Sequence, residues 1–95
     1  MWVKLPNRKY VNLAKVDEVN WQVIPETKKE PGMAWAQNTG SSSAWIKADD
    51  TVLVRIPNLP DEEMEEILAR HLKALDELMT GKMLLWDLST DELAG

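Results

Sequence analysis

Apolar and polar positions alternate through the first half of the chain, whereas in the second half apolar residues recur every three to four positions. Strands are therefore expected to precede a helix. In WVKLPNRKYVNL two short runs flank Pro6-Asn7, where proline suits the first central position of a turn and asparagine tolerates the second. That pattern predicts a hairpin. In VDEVNWQVI, Val19, Trp21 and Val23 alternate with Asn20 and Gln22, as a strand with one buried face requires. PETKKEPG, residues 25–32, is polar and closes on Pro31-Gly32, which predicts an exposed loop ending in a turn. MAWAQ and AWIKA read as aromatic-bearing strands around a small-residue loop, NTGSSS, and Asp49-Asp50 marks a further turn. Val52, Val54 and Ile56 then alternate with Leu53 and Arg55. Both faces of this last run are partly apolar, which predicts a central position or cover from the helix.

Pro57 is expected to end the sheet because proline cannot donate to a ladder. Asn58 and Pro60 suit an N-cap and a first-turn proline, and Asp61, Glu62 and Glu63 follow where the helix dipole favours negative charge. The spacing predicts a helix over 58–80, terminated by Gly81. At 100° per residue Met64, Ile67, Leu68, His71, Leu72, Leu75, Leu78 and Met79 form one stripe, with Glu62, Glu66, Arg70, Lys73 and Glu77 opposite. Glu66 and Arg70 have the spacing and order of a favourable helical ion pair. The expected fold is α+β: a small antiparallel sheet of four to five strands, one long amphipathic helix packed on it, and a short apolar tail. A single domain over 1–95 is expected, with strands in 1–56, the helix in 58–80 and the tail in 81–95.

Composition narrows the class without changing that picture. With 44% hydrophobic and 28% charged residues among 95, the chain has the makeup of a globular domain. Its apolar runs fall far short of the roughly 20 residues that cross a bilayer. The N-terminus lacks the apolar stretch of a signal peptide, so a cytoplasmic location is expected. There is no cysteine and one histidine, which removes disulfides, thiolate chemistry and the usual zinc sets from consideration; neither metal nor cofactor is expected. Charge is uneven. Residues 1–55 carry eight Lys/Arg against six Asp/Glu, a net +2, and residues 56–95 carry three against ten, a net −7.

His71 is the one residue whose polarity contradicts its place on the apolar stripe. A general base or pH switch is the functional reading; the plainer one is a core histidine bonded to a sheet carbonyl or an aromatic group. The carboxylate pairs Asp17-Glu18 and Asp49-Asp50 and the cluster Asp61–Glu66 suit opposite strand faces, a turn and a solvated helical turn better than acid–base catalysis. QNTGSSSA could form an anion nest but lacks the lysine and spacing of a phosphate loop. Trp21, Trp35 and Trp45 could stack on bases beside Lys4, Lys9 or Lys47, yet a domain without phenylalanine needs large side chains inside, and at least two of the three are assigned to the core.

The tail, GKMLLWDLSTDELAG, is too apolar for a solvated terminus. Read as a strand, Leu84, Trp86 and Leu88 share one face and Met83 and Leu85 the other, while Ser89 to Glu92 has the pattern of a capping box for one last helical turn. The tail either folds back on its own domain or reaches another chain by strand pairing or groove insertion. Leu84, Leu85, Trp86 and Leu88, with Trp45, are the candidate interaction residues. Lacking any visible catalytic constellation, the chain is expected to be a noncatalytic protein–protein interaction or regulatory module, acting on a protein partner or on a second copy as a homodimer. A weak nucleic-acid binder using the mildly basic, Trp-bearing half is the second reading, disfavoured by the net charge. A hydrolase or transferase comes third and would need a cleft holding His71 with a carboxylate. Binding to a membrane is not expected.

Overall fold

The computed structural model describes all of Met1–Gly95. β1 (Trp2–Leu5) and β2 (Lys9–Asn12) form the hairpin expected around Pro6-Asn7. Asn7 takes a positive φ of 65°, a conformation asparagine tolerates better than most residues. β3 (Val19–Lys28), β4 (Gln37–Ala48) and β5 (Thr51–Pro60) form an antiparallel meander, with Asp49 at φ 51° in the tight turn after β4. α1 (Asp61–Met79) follows directly, and β6 (Leu85–Asp87) is the last strand.

The fold is α+β with mostly antiparallel pairing, but the strands divide into two three-stranded sheets instead of one sheet of four or five. Their orders are β2-β1-β6 and β3-β4-β5. The cause lies in the tail. β6 runs parallel to β1, pairing Val3 with Trp86, so the first hairpin completes its sheet with the end of the chain and not with β3. A parallel neighbour needs a long crossover, and here the second sheet and α1 supply it.

Several local expectations fail for identifiable reasons. The small-residue stretch NTGSSS is no loop: it lies within β4, where Ser42 pairs with both Pro25 and Leu59. The buried Ser42 hydroxyl donates to Asp61 Oδ1 at 2.8 Å, which satisfies the hydroxyl and ties the sheet to the first turn of α1. The MAWAQ strand is displaced accordingly, and Met33–Ala36 falls in the connection between β3 and β4 after the Pro31-Gly32 turn. Pro57 does not end β5, because the register against β4 shifts between Ile56 and Leu59 and places the proline in a bulge, where its missing N–H costs little. Asn58 is therefore strand, not N-cap; its amide reaches Glu26 across the sheet. The helix starts at Asp61 and stops at Met79, with Gly81 beyond it at φ 83°.

α1 lies over β4 and β5 and touches β6. Its stripe is buried at Met64, Leu68, His71, Leu75 and Leu78, while Met79 is half exposed at the end. The core continues through Ile46, Leu53, Val54 and Ile56 to Val3, Leu5, Trp86 and Leu88. Glu66 and Arg70 do not close an ion pair; Lys28 and Glu30 do, at 3.3 Å, and His71 Nε2 meets Asp91 at 2.8 Å. The molecule measures 52 × 25 × 23 Å, its long axis set by strands that span roughly 35–40 Å. No helix is long and apolar enough to cross a membrane.

Candidate functional site

The tail joins the two sheets. After β6, Leu88 N–H donates to Lys4 O at 2.8 Å, and the chain turns to lie along the outer edge of β5. There Arg55 N–H donates to Leu93 O at 2.7 Å, Gly95 N–H donates to Leu53 O at 3.2 Å, and Val54 and Ala94 form an antiparallel bridge. The helical turn expected at Ser89–Glu92 does not form. Asp87 Oδ1 accepts from Ser89 N–H and hydroxyl, and Asp91 Oδ1 accepts from Leu93 N–H, so the acids cap turns instead of opening a helix.

Between β6 and that edge, Asp91 meets His71. Nε2 lies 2.8 Å from Asp91 Oδ2 and Nδ1 lies 2.8 Å from the Ile67 carbonyl oxygen, and the ring stands tilted against Trp86. The histidine is buried, as its place on the stripe implied, but it bonds a carboxylate and its own helix rather than a sheet carbonyl. Both neighbours are acceptors, and both are satisfied when both ring nitrogens donate. With each nitrogen occupied, the ring fastens the tail to α1.

Burial pushes the Asp91 carboxyl up, but the Leu93 N–H, the His71 hydrogen bond and the positive charges of His71 and Arg70 outweigh it and hold the group below its ordinary value of 3.8. A carboxyl lowered in the folded state contributes stability above its unfolded value, and that contribution disappears as pH falls through the folded one. Urea midpoints measured from about pH 6 down to about pH 2 should therefore fall more steeply for the native protein than for Asp91→Asn, the two curves converging in acid. Parallel curves would show that Asp91 is not anchored this way.

The surface-exposed candidates divide by strand parity. Val3, Leu5 and Trp86 point into the core, so Trp2, Lys4, Tyr10, Leu85 and Asp87 occupy the opposite face of the small sheet. Leu84, just before β6, adds to that face and is 83% exposed. Trp2, Tyr10, Leu84 and Leu85 together line a shallow apolar depression. Of the four tail candidates, Trp86 and Leu88 are buried in the protein's own fold, whereas Leu84 and Leu85 are left on this face. Trp45 is not among them. It lies half-buried on the other sheet, between Gln22 and Arg55, with Lys47 Nζ 4.4 Å from its ring centroid.

Trp2 and Tyr10 were missed as site residues, although a signal existed: in WVKL, Trp2 and Lys4 alternate against Val3 and Leu5. Of Trp21, Trp35 and Trp45, at least two of which are expected in the core, Trp21 and Trp35 are exposed at 52% and 71% and Trp45 is half-buried, so none is a core residue. The basic side chains do not share one face. Lys4 and Lys9 belong to the small sheet, Lys28 ends β3 and pairs with Glu30, and Lys47 covers Trp45. No family model, curated protein or solved structure matches the chain.

Proposed function

We propose that the protein is a noncatalytic interaction module that docks a protein partner on the outer face of the β2-β1-β6 sheet. The observation that carries this reading is the apolar strip of Trp2, Tyr10, Leu84 and Leu85, left uncovered by the rest of the chain. All four residues are exposed large hydrophobics, and a contiguous exposed apolar patch on a monomer is often functional. Its two aromatic side chains, Trp2 and Tyr10, have the chemistry of binding hot spots. Lys4 and Asp87 flank the strip in register on adjacent strands, and the Ser89 hydroxyl and N–H hold the Asp87 carboxyl below its ordinary value. The rim thus offers one positive and one negative group to orient a partner.

A photo-crosslinking residue placed at position 84 in the producing cell tests the assignment. It should yield a discrete protein adduct that Trp2→Ala weakens by about tenfold or more, while the same residue at the exposed helical position 69 yields none. Equal labelling from both positions would defeat the reading.

A further inference from the structure

The two edges of the β3-β4-β5 sheet are treated differently. Leu93–Gly95 covers the β5 edge at Leu53–Arg55, but β3, at 10 residues, has no strand on its outer side. An open edge of that length is a template for another chain. We propose that this edge pairs antiparallel with β3 of a second copy, about a twofold axis at Val23, to form a continuous six-stranded sheet.

The backbone direction shows which groups are available. Glu18 O accepts from Asp49 N–H at 2.8 Å, which turns the even positions at the start of β3 toward β4. In an antiparallel ladder the odd positions then direct both N–H and C=O outward. Val19, Trp21 and Val23 supply these groups, and Pro25, which has no N–H, falls on the same outward set, where a proline is tolerated.

Side-chain cover points the same way. Val19, Trp21 and Val23 pair with Ala48, Ile46 and Ala44, all buried, and so belong to the core face. α1 lies over β4 and β5, and Trp21 at the overhanging edge stays half exposed. A twofold axis perpendicular to the sheet keeps the core-side face of both copies on one side and sets Val23 beside its own copy and Trp21 beside Pro25 of the second copy, extending the apolar strip between two helices. The exposed tryptophan then gains cover.

Charge selects the register. An axis at Gln22 would oppose Glu18 to Glu26 of the second copy, and like charges directly opposite are destabilising. An axis at Ile24 would oppose Glu18 to Glu30 of the second copy, again like charges, and leave Lys28 opposite Asn20. An axis at Val23 opposes Glu18 to Lys28 and Trp21 to Pro25, and uses β3 from Val19 to Thr27.

Sedimentation equilibrium of the full chain from about 1 to 500 μM tests the proposal, with a dissociation constant expected in the micromolar range. The mass should rise from 10.8 kDa toward twice that value. Val23→Pro removes an outward N–H that the monomer does not use; it should leave circular dichroism unchanged and weaken the dimer by about 50-fold or more. Glu18→Lys and Lys28→Glu should each weaken it by about tenfold, and the double exchange should restore it. A mass of 10.8 kDa at every concentration overturns the proposal. So does a dimer that survives Val23→Pro with native circular dichroism, or one that ignores the single charge reversals. If Val23→Pro fails to fold, the charge exchange decides alone. A dimer dissolved by Leu84→Asp instead would lie on the small sheet's apolar strip, so the two surfaces are told apart.

Discussion

Truncation after Thr80 is expected to unfold the protein. The removed segment supplies β6, the third strand of the small sheet, and the residues that close the β5 edge. It also carries Trp86 and Leu88, both buried in the cluster that holds Val3, Leu5 and the apolar stripe of α1. Deleting one large core side chain costs about 3–5 kcal/mol, and domains retain only about 5–15 kcal/mol in total. Losing two such side chains with a strand consumes most of that margin. The remaining five strands and helix should show neither a cooperative thermal transition nor dispersed amide resonances. A truncated chain with the native melting temperature would show that the joint between the sheets is dispensable.

Trp86→Ala and Leu84→Ala should differ sharply although the two residues stand two apart in one apolar run. Trp86 is 6% exposed, pairs with Val3 and packs against His71, so its loss should cost about 3–5 kcal/mol. Leu84 touches little at 83% exposure, and its truncation should change stability by less than about 0.5 kcal/mol. Urea midpoints at constant m-value measure both. A costly Leu84→Ala in the monomer would mean that this residue is covered in solution, and the docking strip would lose its most exposed member.

The contrast marks how far the sequence could be read. The helix was legible from its stripe, because burying one side of a 3.6-residue repeat demands that spacing; Gly81 as its end followed from backbone sterics alone. The first hairpin and the Asp49-Asp50 turn were legible for the same reason. Each is local, and a turn's conformational preference is carried by its own residues. Within the site, the alternation in WVKL already separated Trp2 from Val3. The tail's need for burial was legible too, from its apolar content.

What only the tertiary structure decided was pairing over distance. MLLWDL contains apolar residues on both strand faces, and nothing local says which face meets the core; the parallel register of Val3 with Trp86 settles it, burying Trp86 and stranding Leu85. The same holds for NTGSSS, whose small residues suit a loop until β3 and β5 flank them. Trp21 has the parity of a core residue and is left half exposed because α1 covers β4 and β5 instead. His71 was marked by its place on the stripe, but its partner Asp91 comes from 20 residues further along the chain. Local sterics and periodicity act within a few residues and are written in the sequence directly, whereas strand partners are selected by the summed burial of the whole chain, which no short segment carries.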